Sequence, residues 1–174
     1  MKITLPDKSL RELPEGSSGY DLAKDIGPGL AKSAVAVTIN GIQKDLHDVI
    51  EGDVSASIIT IDSDEGIEIM RHTLTAQVLA RALKNIYPSS KLAIGPTIDD
   101  GFYYDIETED AISIDDLKKI EDEMIKIVKT KSSITKKLVG KEDALKIFKS
   151  QKETYKESIL SLIHISEPTR HASI

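Results

Sequence analysis

The sequence AVAVTINGIQKDL, at residues 34–46, decides the fold of the first part of the chain. β-Branched and small apolar residues fill its first six positions, which is typical of a buried strand. The pair Asn40-Gly41 follows, and it favours the two positive φ angles of a type I′ turn. Residues 42–46 then return as the partner strand, so this stretch predicts a β-hairpin.

Further short strands and one helix flank this hairpin. Residues 2–5 and 10–13 predict an earlier hairpin, and residues 54–61 predict a last strand. Ser17 or Ser18 offers the N-cap of one helix, which a Gly-Pro-Gly sequence ends. The order ββαβ with a final strand, within about 60 residues, predicts a small β-grasp sheet that holds one helix.

A second domain is predicted after a polar linker at residues 62–66, which have no apolar side chain to bury. Residues 67–87 carry apolar side chains at helical spacing and end at Pro88, so they predict a long helix. The chain is therefore predicted as an α+β protein with domains at residues 1–61 and 67–159. The other elements predicted in the second domain are strands at residues 91–94, 102–106 and 134–139, a helix capped by Ser113, and a helix at residues 142–150.

Composition excludes several classes of protein. The chain has 174 residues and no cysteine, so a disulfide framework and a thiolate metal site are both excluded. No stretch approaches the ~18 consecutive apolar residues of a membrane-spanning helix. The first residues also lack the apolar core of a signal peptide, so the cytoplasm is the expected compartment.

The net charge of −6 conceals an asymmetry along the chain. Residues 1–117 hold 10 Lys and Arg against 21 acids, whereas residues 118–156 hold 12 lysines against 6 acids. Such a basic stretch suits a polyanion, because lysines near phosphates release condensed counterions. A solvated helix face of paired lysines is the alternative, and charge counts alone do not separate the two.

The most specific string in the chain is KLAIGPTIDDGFYYD, at residues 91–105. It closely resembles the I-G-P-x-I-D-x-G-F-Y-Y-D signature of threonyl-tRNA synthetases. Residues 71–88 are similar to the R-H-x-x-A-H-x-L helix of that family, and residues 153–156 are similar to its Y-K segment. Residues 1–61 resemble its N-terminal TGS domain, a ubiquitin-like β-grasp module.

This resemblance implies the N-terminal fragment of a threonine-tRNA ligase, with tRNA as its partner. The second domain would be the start of an editing domain, which hydrolyses serine wrongly attached to threonine tRNA. Such a second site is needed because one missing methyl group changes binding by only about 1–3 kcal/mol. ATP and zinc would belong to a missing catalytic domain, through which alone a homodimer would form. The fragment itself is expected to bind no cofactor or metal and to be inactive.

The resemblance also implies four editing-site candidates: His72, Gln77, Tyr104 and Lys156. The family pattern places two histidines four residues apart, but here the second position falls on Gln77, five residues after His72. Five residues of a regular helix turn through about 500°, which leaves the two side chains roughly 140° apart. We therefore predict a π-bulge between Met70 and Gln77 that turns both side chains toward Tyr104. Gln77 could then hydrogen-bond a substrate or water, but it could not act as a base.

Each candidate has a structural alternative. A regular strand directs Tyr103 and Tyr104 to opposite faces, so only one of them can face a pocket while the other packs elsewhere. A packed core tyrosine is the alternative for Tyr104, a surface lysine for Lys156, and a packed residue on an apolar helix for His72.

The end of the chain has a different character. Residues 160–170 read LSLIHISEPTR, which resembles the translation of a transposon-end adapter used to build sequencing libraries. On this resemblance the natural chain breaks off near Ile159, and residues 160–174 are non-native and unpacked. His164 and His171 are accordingly not considered as ligands or bases.

Two other classes of protein stay open at this point. One is the front end of a nucleoside kinase of the uridine-kinase type, some of which carry a TGS domain before a P-loop domain. The other is a non-enzymatic TGS module that binds RNA. The P-loop string G-x-x-x-x-G-K-[ST] does not occur within these 174 residues.

Overall fold

A computed structural model describes residues 1–162 and the backbone of Ala172–Ser173. The chain divides into two compact units, of which the first comprises Met1–Arg71 and the second begins at His72. An α+β architecture, with a mixed sheet followed by helices and short strands, confirms the predicted fold class.

The first unit is built on a five-stranded sheet with the strand order β2-β1-β5-β3-β4. Its central strands β1 and β5 run parallel, and all other neighbours are antiparallel. This arrangement confirms the predicted β-grasp sheet. The strands are β1 (Lys2–Thr4), β2 (Leu10–Glu12), β3 (Ala34–Ile39), β4 (Ile42–Asp45) and β5 (Val54–Thr60).

The hairpin of β3 and β4 forms as predicted. Asn40 and Gly41 have φ angles of 50° and 79°, which are the positive values that a type I′ turn requires. Ile39 pairs with Ile42 across this turn. The two-residue turn therefore sets the register of the whole hairpin.

Helix α1 (Gly19–Ile26) covers one face of the sheet. Its N-cap is Ser18 in a capping box: the Asp21 N–H donates to the Ser18 hydroxyl at 3.3 Å, and the Ser18 N–H donates to the Asp21 carboxylate at 2.8 Å. Leu22 is fully buried in the core of this unit. The other fully buried or nearly buried members of that core are Ile3, Val37, Ile39, Ile50 and Ala56.

A second short helix, α2 (Pro28–Ser33), corrects the prediction of a single helix in this unit. The Gly-Pro-Gly sequence does end α1, at Ile26. Pro28, however, occupies the first position of α2, where its fixed φ suits a helix and its missing N–H leaves no bond unmade. The second helix was missed because Pro28 was interpreted only as the end of α1 and not as the start of α2.

The predicted linker at residues 62–66 also differs from the structure. Helix α3 (Asp64–Thr73) already begins there. Ser63 stabilises its start, because its hydroxyl accepts the Gly66 N–H at 3.1 Å and donates to the Thr60 carbonyl at 2.9 Å. The polar composition of residues 62–66 predicted a linker. In the structure, the polar side chain of Ser63 instead accepts an N–H group at the helix start that would otherwise be unpaired.

The second unit has a small core between helices and a short sheet. Leu83, Leu92 and Ile120 are its buried centre. The helical elements are a π-helical turn (Leu74–Leu79), α4 (Ala80–Ile86), α5 (Ile114–Lys129), α6 (Lys141–Ser150) and α7 (Thr154–Leu162). The strands are β6 (Lys91–Leu92), β7 (Thr97–Ile98), β8 (Gly101–Phe102), β9 (Ile106–Glu107) and β10 (Leu138–Val139), with β6 paired to β9 and β7 paired to β8.

Several features of this unit depart from the predicted elements. The strand predicted at residues 102–106 is interrupted, since β8 ends at Phe102 and β9 begins at Ile106, and β7 was not predicted. The strand predicted at residues 134–139 is confined to Leu138–Val139. Helix α7 was not predicted, because its apolar residues are few and weakly periodic. Of the tail that was expected to stay unpacked, residues 163–171 and 174 lie outside the described residues. The prediction is wrong for Ala172–Ser173, whose backbone pairs with β10 as strand β11.

Gly66 provides a test of how α3 begins. A Cβ at this position would lie 1.9 Å from the Thr60 carbonyl oxygen, so Gly66→Ala forces the first turn of α3 away from the end of β5. We expect a loss of about 1–3 kcal/mol in the free energy of unfolding, as for other overpacked sites. Urea denaturation followed by circular dichroism measures this change.

Gly29→Ala is the matched control, since a Cβ at Gly29 has no neighbour within 4 Å. Equal stabilities of the two variants would contradict the close contact between Gly66 and Thr60.

Candidate functional site

The helical segment of residues 64–86 contains the π-helical turn that the sequence predicted. The turn spans Leu74–Leu79, and the backbone N–H of Ala80 bonds to the carbonyl of Thr75, five residues earlier. The wider turn takes up one extra residue without breaking the helix. The turn extends beyond the predicted interval between Met70 and Gln77. It confirms the prediction that this helix contains a π-bulge, which rotates the side chains after it relative to those before it.

A cavity of about 360 Å³, which we call the site cavity, contains all four sequence-predicted residues. His72 lies just before the π-helical turn and Gln77 lies within it, and Tyr104 and Lys156 belong to other elements. The structure thus brings the four candidates together. The full lining is His72, Thr75, Ala76, Gln77, Ala93, Gly95, Tyr104, Phe148, Gln151 and Lys156.

Backbone pairing beyond β6 positions Tyr104. The N–H of Ala93 donates to the Asp105 carbonyl, and the N–H of Asp105 donates to the Ile94 carbonyl, both at 3.0 Å. Tyr104 is half-buried between these bonds, whereas its neighbour Tyr103 is 65% exposed. The two tyrosines lie between β8 and β9 and not in the predicted regular strand, but Tyr104 lines the site cavity and Tyr103 does not.

Gly95 allows the π-helical turn and Tyr104 to approach each other. A Cβ at Gly95 would lie 2.6 Å from Cδ2 of Tyr104 and 2.7 Å from Cγ2 of Thr75. Thr75 itself is only 1% exposed. The glycine of the Ile-Gly-Pro string is therefore explained by the space between these two side chains.

Lys156 is held by a buried acid, Glu153, which the sequence pattern did not identify. Glu153 is 4% exposed. Its Oε1 lies 2.6 Å from the Lys84 ammonium, and its Oε2 lies 3.6 Å from the Lys156 ammonium. Within the described residues Oε2 has no hydrogen-bond partner. Lys84 also donates to the Ser90 carbonyl, so one carboxylate joins α4, the turn after it and α7.

The one sequence feature that could have identified Glu153 as a site residue is its position three residues before Lys156. A glutamate three residues before a lysine forms an ordinary surface ion pair on a helix, and acids are rarely buried. Nothing in the local sequence shows that Lys84, far away along the chain, supplies the second charge. Burial of Glu153 is therefore a tertiary property.

The electrostatics of the cavity favour a neutral phenol at Tyr104. Burial raises the pKa of Tyr104, and the negative charge of Glu153 raises it further. Tyr104 therefore keeps its proton at neutral pH and can donate a hydrogen bond. Lys156 brings a cationic donor, Gln77 an amide, and His72 an imidazole that can accept a proton.

A second set of contacts anchors α7 from its outer side. The Tyr155 hydroxyl donates to Glu107 at the end of β9, and the Lys91 ammonium lies 2.6 Å from the same carboxylate. The hydrogen bond from Lys91, followed by that from Tyr155, lowers the pKa of Glu107. Lys156 thus follows directly after a residue that is tied to the sheet.

The fold and the cavity together define a β-grasp module followed by a second unit with a polar, partly basic pocket. Residues 1–60 match the family model described as the TGS domain. TGS domains commonly bind RNA or tRNA. This match covers the first unit up to the end of β5.

The described residues contain neither a membrane-spanning helix nor a metal-binding cluster. No helix among them is both long enough and apolar enough to cross a membrane. In the same part of the chain, no group of three His, Cys, Asp or Glu side chains is arranged to hold a metal ion.

Gly95→Ala tests the contact between the π-helical turn and Tyr104. The added methyl group overlaps both Tyr104 and Thr75, and we expect a loss of about 1–3 kcal/mol in the free energy of unfolding. Gly101→Ala is the control, because its Cβ would meet no atom within 4 Å. If urea denaturation gives both variants the same stability, Gly95 is not a close-packed contact.

The charge of Glu153 is expected to act on Tyr104. Replacing Glu153 by glutamine lowers the pKa of Tyr104, and the remaining effect of burial keeps it above the ordinary value. Because the folded-state pKa is raised, the associated stability is present below about pH 10 and is lost as pH rises through the folded-state pKa. Carbon-13 NMR of ζ-labelled tyrosine follows the titration.

Two further variants complete the measurement. In the double variant K84M/E153Q both partners of the buried ion pair are replaced, so no unpaired Lys84 charge destabilises the fold. Glu157→Gln removes the same charge one turn along α7 and should leave the Tyr104 titration unchanged. Identical Tyr104 titrations in all variants would contradict the coupling.

Proposed function

We propose that the chain is the N-terminal, tRNA-facing part of a threonine-tRNA ligase, acting in the cytoplasm, whose second unit carries part of an editing site. One observation carries the proposal. The π-helical turn restores a shared cavity for His72 and Gln77, together with Tyr104 and Lys156. These are the positions that the resemblance assigned to editing, and a helix without this turn would separate the first two.

The chemistry of the cavity suits hydrolysis of an aminoacyl ester. That reaction needs a water molecule, a group that accepts its proton, and donors aimed at the developing oxyanion. His72 is the candidate base. Tyr104 and Lys156 are the candidate donors, and Gln77 orients the substrate or the water. The raised pKa of Tyr104 supports its role as a donor, because the phenol stays protonated.

The TGS domain supports RNA as the partner. A TGS match by itself also fits the front end of a uridine-type kinase and a non-enzymatic RNA-binding module. The cavity favours the ligase over the binding module, since a module that only binds RNA through its TGS domain has no use for it. Ligation itself, with ATP and zinc, is assigned to other parts of such a ligase. The 174-residue chain is therefore proposed not to activate threonine.

Binding of a stable substrate analogue tests the proposal. The analogue is seryl-adenosine in which an amide replaces the reactive ester, and nitrogen-15 NMR of the whole chain detects where it binds. We expect shifts of backbone resonances around His72, Gly95 and Tyr104. Tyr104→Phe removes one hydrogen bond, so it should weaken binding by about 1 kcal/mol, or roughly fivefold.

Tyr103→Phe is the matched control, because Tyr103 is exposed and lies outside the site cavity. The proposal fails if the analogue shifts no resonance of the cavity, or if both phenylalanine variants bind equally.

A further inference from the structure

A second cavity, of about 330 Å³, neighbours the site cavity. Gln77 belongs to the lining of both cavities, so the two lie next to the same residue. We call the second cavity the basic groove. Its polar lining consists of Gln77, Arg81, Lys131, Ser132, Ser133 and Thr135.

The two cations of the basic groove, Arg81 in α4 and Lys131 just after α5, differ from most lysines of α5. Lys118, Lys119 and Lys126 each lie within 3.2 Å of a carboxylate oxygen on the same helix. Within residues 1–162, by contrast, Arg81 and Lys131 pair with no acid, and no acidic residue lines the groove. The basic stretch of the sequence therefore contains a neutralised helix face, and one of its remaining lysines, Lys131, joins Arg81 in a groove without acids.

Three carbonyls at the end of α5 are already paired. The Thr130 N–H donates to the Lys126 and Ile127 carbonyls at 3.2 and 3.1 Å, and the Lys131 N–H donates to the Val128 carbonyl at 3.1 Å. The Thr130 hydroxyl also bonds to Ile127 and to the Ser132 hydroxyl. Because the negative end of the helix is capped in this way, it opposes an anion less than bare carbonyls would.

A phosphodiester suits this set of groups. Arginine, lysine, serine and threonine side chains provide most protein contacts to nucleic-acid phosphates. An arginine and a lysine without acidic partners retain their full charge for such a contact, and nearby hydroxyls add neutral donors. A strand whose 3′ end enters a cavity of about 360 Å³ must be unpaired at that end, so the RNA segment considered for the groove is single-stranded.

We infer that the basic groove binds the phosphodiester backbone of a single-stranded RNA segment through Arg81 and Lys131. Resting on the proposed function, the 3′ end of that strand passes Gln77 and enters the site cavity. The groove is thus a binding site for the strand that lies outside the residues of the hydrolytic chemistry.

Fluorescence anisotropy with a short single-stranded RNA, labelled at its 5′ end, tests this inference on the whole chain. The test variant is R81Q/K131N. Asparagine suits position 131 because Lys131 has a φ angle of 51°, which asparagine tolerates better than most residues. Each lost phosphate contact should reduce the slope of log K against log salt by roughly 0.7, and affinity at low salt should fall on the order of tenfold.

The matched control is K118Q/K146Q, which removes the same charge from two lysines that already have acidic partners. It should bind RNA within about twofold of the unmodified chain, because paired surface lysines contribute little. The inference is overturned if R81Q/K131N binds like the unmodified chain, or if the control variant loses as much affinity. Equal binding of a polyglutamate peptide would overturn it as well, since the groove would then recognise negative charge alone.

Failure of the groove and failure of the proposed function give different results. R81Q/K131N should still bind the seryl-adenosine amide, because that analogue carries no phosphate. If the analogue binds but R81Q/K131N has the same RNA affinity as the unmodified chain, RNA binding by the groove is disproved and the proposed function stands. If RNA affinity falls as expected while the analogue does not bind, the groove is supported and the editing function is wrong.

Discussion

One additional residue in the helix of residues 64–86 is the constraint on which the second unit depends. Both His72 and Gln77 line the site cavity, and a regular helix would leave these two side chains roughly 140° apart. The π-helical turn at Leu74–Leu79 resolves the conflict. Its cost, on the order of 1 kcal/mol for a strained backbone bond, is small beside the burial of Leu83 and its neighbours.

The buried carboxylate of Glu153 is the second organising element of the site. It lies between Lys84 of α4 and Lys156 of α7, and its charge acts on Tyr104. A buried acid is costly unless it is paired, so removing either partner would weaken the structure more than the pair itself stabilises it. The same interaction that orders α7 therefore also sets the electrostatic environment of the cavity.

The basic stretch of the sequence illustrates why charge counts are a weak guide to function. Most lysines of α5 find acids three or four residues away and form the solvated face that was the alternative expectation. Arg81 comes from α4 rather than from the basic stretch, yet it joins Lys131 in one groove. The arrangement of a few unpaired cations, and not their number, distinguishes a binding surface from a solvated one.

Local sequence determined much of this protein. Asn40-Gly41 specified the turn of the hairpin, and Ser18 and Ser113 specified helix starts. Each of these depends on backbone geometry within a few residues. The π-helical turn was predicted from the spacing of His72 and Gln77 only in comparison with the histidine spacing of the family that the chain resembles. Only the tertiary structure decided that Glu153 is buried, that Gly95 separates Thr75 from Tyr104, and that Arg81 and Lys131 line one groove. These contacts join segments far apart along the chain, and no local periodicity records which distant residue will supply the partner.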